Sequence, residues 1–270
     1  MRDSNVKCSN GMHVVDDGPR NAQPLLLIHG SGASGATWGP MVPLLTRTHR
    51  VVRVDLPGCG QSPPTSSFAV PAQAREVAAV LDEIGLRAVT VAGHSSGGYV
   101  ATALAEQRPD LVGAVALVSS GPSMAALRSA QPFLLRALTE PPLGPIVWRL
   151  RSDKVIRKGM RAAFVVPAPI PDNAVADFRA MTFRTFHSVL RANGAYLDER
   201  SLPERLAVLG LPVLAVFGDA DPKWRPASVH DYETVPGVRI EILPGVGHVP
   251  ILEAPEATSG LLRDFAAAQR

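Results

Sequence analysis

The chain has little cysteine, little aromatic character and no long apolar run. Of its 270 residues two are cysteines, Cys8 and Cys59, too few for a disulfide scaffold or a thiolate metal site. Aromatic residues make up 5% and are not interleaved with basic ones as single-strand nucleic-acid binders require. Positive charge is only slightly in excess, 27 Lys and Arg against 24 Asp and Glu, and its scatter argues against a nucleic-acid partner. No stretch reaches the ~20 apolar residues of a membrane span. Met1-Arg2-Asp3-Ser4-Asn5 lacks the apolar stretch of a signal peptide. The expectation is a cytoplasmic protein without an integral membrane segment. A charged fraction of 19% and a slightly positive mean hydropathy exclude disorder, and the length suffices to bury a full core, often as one α/β domain.

What is present is alternation. Asn10-Gly11 signals a hairpin between Val6–Ser9 and Met12–Asp16. Leu25–Ile28 is a continuous apolar run, a strand buried on both faces. Further strands read at Val51–Val54, Ala88–Ala92, Val112–Val118, Leu211–Phe217 and Val238–Ile242, eight in all. Helical patterns fall between or after them at Trp38–Leu45, Ala72–Ile84 closed by Gly85, Gly98–Glu106, Ala227–Tyr232 and Pro255–Ala268. Such alternation predicts the α/β class, a mostly parallel sheet with helices on both faces. Residues 122–202 interrupt it: they hold no strand candidate, and their helical signals are broken by Pro141-Pro142, Pro145, Pro167, Pro169 and Pro171. The expected division is a core of 1–121 and 203–270 with a helical cap inserted at 122–202. Within the cap, Lys154, Arg157, Lys158 and Arg161 share one helical face. That stripe either attracts an anionic substrate or membrane headgroups, or is a solvated surface.

The chemistry starts at Gly93-His94-Ser95-Ser96-Gly97, the pattern G-x-S-x-G. A chain of this length holds that pattern by chance roughly one time in ten, so context decides. A β-branched strand precedes it and an Ala-rich helix follows, which puts Ser95 on a strained strand-to-helix turn with its hydroxyl exposed. A serine hydroxyl is a poor nucleophile at neutral pH and needs a base, usually histidine, oriented by a carboxylate. Reactive groups of open α/β sheets gather beyond the carboxyl ends of strands. Gly218-Asp219-Ala220-Asp221-Pro222 follows one late strand and Gly245-Val246-Gly247-His248 follows the next. His248 is the candidate base. Asp219 and Asp221 are both available as its acid; Asp221, just before Pro222, is favoured, with Asp219 left to bond backbone amides in the turn. Of the other histidines, His49, His187 and His230 read as surface or packing residues in or near polar helical segments, and His13 as a hairpin residue with no acid or serine nearby. His94 packs in the turn, and His29 makes a structural hydrogen bond. In His29-Gly30-Ser31-Gly32 the glycines allow close approach to a substrate. The N–H groups of Ser31 and Ser96 would receive the negative charge that develops on a substrate carbonyl oxygen. The same loop lacks the Gly-Lys-Ser/Thr ending of a P-loop and does not fit the dinucleotide fingerprint; no cofactor or metal is expected.

These segments, with Asp55-Leu56-Pro57-Gly58-Cys59-Gly60-Gln61-Ser62, resemble the α/β-hydrolase fold superfamily, in its group of small cap-bearing serine esterases and related hydrolases. The resemblance spans most of the chain in the family's order and spacing. It implies Ser95 as nucleophile, Asp221 as acid, His248 as base, Ser31 and Ser96 as oxyanion donors, and a helical cap. It leaves the substrate open, because relatives cleave esters, lactones, amides, thioesters or C–C bonds, and some are lyases or receptors. The expected activity is hydrolysis of a small, largely apolar carboxylic ester or lactone through an acyl-enzyme. The alternatives are C–C hydrolysis, lyase or cyclase action on the same triad, or a receptor-like protein that binds without turnover. Pocket candidates are Trp38 and Trp224, with Phe133, Trp148 and Phe183 as further aromatic positions. The partner is a small-molecule substrate, and monomer and homodimer stay open.

Overall fold

A computed structural model describes residues 5–128 and 140–269; Phe133 lies outside them. One eight-stranded sheet runs in the order β1-β2-β4-β3-β5-β6-β7-β8. Its strands are β1 (Asn5–Ser9), β2 (Met12–Asp17), β3 (Gln23–Ile28), β4 (His49–Val54), β5 (Val89–His94), β6 (Val112–Val118), β7 (Val213–Gly218) and β8 (Arg239–Leu243). Pairing is parallel from β4 through β8, and only β2 and the β1 hairpin run against it. The hairpin turns at Asn10 and Gly11, both at positive φ, as a tight two-residue connection demands. Around the sheet lie α1 (Val42–Leu45), α2 (Val70–Glu83), α3 (Gly97–Gln107), α9 (Pro250–Glu253) and α10 (Pro255–Ala267). Between β6 and β7 come α4 (Gly144–Leu150), α5 (Asp153–Arg161), α6 (Asp172–Ala180), α7 (Phe183–Glu199) and α8 (Leu202–Leu206).

The central strands are apolar on both faces because helices cover both. Leu26, Ile28, Val52 and Val91 enter one buried cluster, and Leu25, Leu27, Val51 and Ala92 the other. Two expected helices are tighter than α. Gly35–Met41 and Pro226–Thr234 wind as 3₁₀ turns, and in the first Pro40 removes an amide that an α-helix would use. His13 corrects its sequence reading. Because β2 pairs with β4, His13 Nδ1 lies 2.8 Å from Asp55 Oδ2, and its backbone N–H donates to Ser62 Oγ at 2.8 Å. Asp55 also accepts the N–H groups of Gly35 and Gln61 at 2.7 and 2.9 Å, so this segment ties β2 to the loops that follow β3 and β4. His49 opens β4 and is buried, a packing position. Among the described residues no helix is long and apolar enough to cross a membrane.

Candidate active site

The sheet order delivers four loops to one place. β5 is central, β3 flanks it on one side, and β6, β7 and β8 follow on the other, so the segments after β3, β5, β7 and β8 meet at their carboxyl ends. After β5 the chain reverses sharply into α3, with Ser95 at φ +53°. A left-handed non-glycine residue costs roughly 1–2 kcal/mol, and two backbone bonds offset it. The Ser95 N–H donates to Val118 O at 2.8 Å, and its carbonyl accepts Ser120 Oγ at 2.7 Å. The turn closes only with glycine on either side: a Cβ on Gly93 would stand 2.4 Å from the Gly97 carbonyl carbon, and one on Gly97 2.3 Å from Ile28 O. The pattern seen in the sequence is therefore a steric requirement of the turn.

His248 Nε2 lies 3.1 Å from Ser95 Oγ, and His248 Nδ1 lies 2.8 Å from Asp221 Oδ2. All three residues are buried. A carboxylate only accepts, so Nδ1 carries the hydrogen and Nε2 presents its lone pair to the Ser95 hydroxyl. Asp221 Oδ1 is occupied separately by the N–H groups of Lys223 and Trp224 at 2.7 and 3.0 Å. Burial opposes ionisation of Asp221, but the bond from His248 and these amides outweigh it and hold the carboxyl below its ordinary value. Burial dominates at His248 and lowers its pKa from the ordinary 6.5, against the raising influence of Asp221. Asp219 goes elsewhere, to the Gly245 N–H at 2.6 Å. The structure thus brings Ser95, His248 and Asp221 into one hydrogen-bonded line and leaves Asp219 outside it.

Two contributors went unseen in the sequence. Glu253 Oε2 accepts the N–H groups of Val165, Val166 and Gly247 at 2.7, 2.9 and 3.0 Å, and its Oε1 accepts that of Val249 at 2.9 Å. One buried carboxylate thereby fixes the backbone on both sides of His248. The His248 carbonyl accepts from His94 Nε2 at 2.9 Å, and burial lowers the His94 pKa to about 3, so that ring stays neutral. The second is Asn193 of α7, whose carboxamide nitrogen donates to Ser31 Oγ at 2.9 Å. Ser31 and Ser96 flank Ser95, their hydroxyl oxygens 2.8 Å apart. Gly30 carries the β3 loop against the turn, where an added Cβ would lie 3.0 Å from that of Ser95.

Ser95 and His248 open into a cavity of about 420 Å³, within the range of small-ligand sites. Its wall away from the sheet comes from the segment between β6 and β7, including Ile156, Met160, Phe164, Phe178 and Phe186. The pocket expectation for Trp38 and Trp224 is corrected. Both indoles are buried in the hydrophobic core, 0% and 2% exposed, and neither lines the cavity. Trp224 packs so closely on Gly121 that a Cβ there would lie 2.5 Å from its ring. Trp148 is also behind the wall, stacked on Phe186 and tilted against Phe178 and edge-on to Phe183. Of the basic stripe, Arg157 pairs with Asp172, and the four side chains border a separate groove distinct from the cavity.

A serine elbow after β5, an acid after β7 and a histidine after β8 of a mostly parallel sheet define the α/β-hydrolase class of proteins. The chain belongs to the alpha/beta hydrolase family, whose model matches residues 25–261. It is 30% identical over 259 residues to a pimeloyl-[acyl-carrier protein] methyl ester esterase of Neisseria meningitidis, covering 92% of this chain and 94% of that one. It is 24% identical to a putative 2-succinyl-6-hydroxy-2,4-cyclohexadiene-1-carboxylate synthase of Bacillus subtilis, over 97% of both chains. Among solved structures, an N-acyl homoserine lactonase mutant complexed with N-hexanoyl homoserine superimposes with a TM-score of 0.81 at 19% identity, covering 98% of this chain and 96% of that one. That likeness is one of fold.

Proposed function

We propose that this protein is a serine hydrolase of a small, largely apolar carboxylic ester or lactone, working through an acyl-enzyme on Ser95. The observation that carries the reading is the line Ser95–His248–Asp221 opening into an apolar cavity. Ser95 Oγ attacks the carbonyl carbon while His248 Nε2 takes its proton. The imidazolium then protonates the leaving alcohol, and water attacks the acyl-enzyme with His248 again as base. Asp221 keeps the productive tautomer and balances the transient positive charge. The N–H groups of Ser31 and Ser96 receive the charge on the carbonyl oxygen. The Arg151 guanidinium at the cavity wall is engaged by the carbonyls of Phe178, Arg179 and Met181 at 3.0, 2.7 and 2.9 Å. An esterase among the relatives supports ester hydrolysis.

Residues 122–202 act as a cap that selects the substrate. Ile156→Ala and Met160→Ala are expected to enlarge the cavity and move the preferred acyl length upward in a panel of esters from acetate to decanoate. Loss of all substrates by one common factor would reduce the cap to a support for folding. Tight ligand capture without turnover of any ester or lactone would favour the receptor-like reading, and turnover confined to C–C cleavage or elimination would favour lyase chemistry. The lowered pKa of His248 adds a second expectation. The base must be unprotonated to act, so a depressed pKa keeps it active as pH falls. The acid limb of kcat/KM, which reports the free enzyme, is expected below the ordinary 6.5. A limb at or above that value would mean that the Asp221 carboxylate outweighs burial at His248.

A further inference from the structure

The protons in the Asn193–Ser31–Ser96 chain can be counted. A carboxamide nitrogen only donates, so Ser31 Oγ accepts from Asn193. Each serine hydroxyl carries one hydrogen, and the 2.8 Å contact between the two oxygens uses one of them. One O–H is left over, and among the described residues neither hydroxyl has a further acceptor. Of the pair only Ser31 lines the cavity. The arrangement that strands no buried donor therefore has Ser96 donating to Ser31, and Ser31 donating into the cavity.

We propose that the Ser31 hydroxyl is a third donor to the substrate's carbonyl oxygen, beside the two N–H groups, and that Asn193 is the positioning residue that aims it. This rests on the acyl-enzyme reading above. Two bonds received at Ser31 Oγ hold its single side-chain torsion in one rotamer, so the donor is in place before charge develops and needs no reorganisation. Asn193 itself is buried on a helix that already grips the same loop. A Cβ on Gly32 would lie 2.6 Å from the Phe178 ring and 3.2 Å from that of Phe186, and Ser34 Oγ donates to Asp177 Oδ2 at 2.5 Å. The oxyanion loop is thus referenced to α6 and α7, and the position of the inserted helices is felt at the reacting carbonyl.

The test is a double-mutant cycle on a neutral ester, with kcat and KM measured separately and Ser95 labelling by a fluorophosphonate as the control. Ser31→Ala is expected to lower kcat by about 10²-fold with KM little changed, as for loss of one oxyanion donor. Asn193→Ala is expected to lower kcat on the order of tenfold, the cost of a misplaced donor, and to cost nothing further in the Ser31→Ala background. Asn193→Leu fills the same space without a donor and should give the same loss if the alanine variant does not fold. A labelled wild type with unchanged kcat in Ser31→Ala overturns the third donor. Additive losses in the double variant overturn the positioning role and leave Asn193 a packing residue. Absence of Ser95 labelling in the wild type overturns the acyl-enzyme reading, and this proposal with it.

Discussion

Ser95→Ala is expected to abolish ester turnover, lowering kcat by several orders of magnitude, about 10⁶ by the measure of serine hydrolases, while the protein stays folded. Among the described residues its oxygen is the hydroxyl within hydrogen-bond reach of the His248 lone pair. Ser31 and Ser96 stand nearby but bond to each other, and neither has a base. The fold survives because what holds the turn is backbone: the Ser95 N–H and carbonyl keep their bonds to Val118 and Ser120, and alanine adds no atom. A fluorophosphonate should label Ser95 in the wild type and fail on the variant. Labelling at Ser31 or Ser96 with Ser95 untouched would overturn the assignment.

Asp221→Asn is expected to lower kcat by about 10⁴, the cost of presenting the wrong histidine tautomer. The structure shows why the amide cannot compensate. Oδ1 of Asp221 accepts two backbone N–H groups, so the asparagine oxygen must occupy that place and its nitrogen must face His248. A donor there forces Nδ1 to accept, which moves the ring hydrogen to Nε2 and turns it toward Ser95. Asp219→Asn keeps an acceptor for the Gly245 N–H and should change kcat by less than about twofold, as for a surface substitution away from the site. Side-by-side kinetics decide the matter, and the reverse ranking would transfer the acid role to Asp219.

What was legible in the sequence is what local sterics and strand ends dictate. Gly93 and Gly97 cannot be replaced without collision, so the elbow is written in adjacent residues, and Asp221 and His248 each follow a run that reads as a strand. Contributors that act over long sequence distances left no such mark. Asn193 reaches Ser31 across 162 positions, and Glu253 reaches Val165 across 88. Either would pass for an ordinary polar residue in a helix, since nothing local requires its type. Trp38 and Trp224 were misjudged for a related reason: nearness to a site motif along the chain does not say on which side of the sheet a side chain is buried. His13 found its acid only because β2 lies against β4, a pairing that periodicity does not specify.

The wide spacing of the reacting groups also shapes how the protein is made. Ser95 and His248 lie 153 residues apart, and chains emerge from the ribosome N-terminal end first. The half of the sheet that presents the hydroxyl is synthesised long before the imidazole exists. Until β7 and β8 dock and Glu253 clamps the loop around His248, that hydroxyl has no base, and the nascent chain is chemically silent. A product truncated before residue 248 would lack the imidazole together with the core residues Ile251, Leu262 and Phe265, and is expected to have no activity.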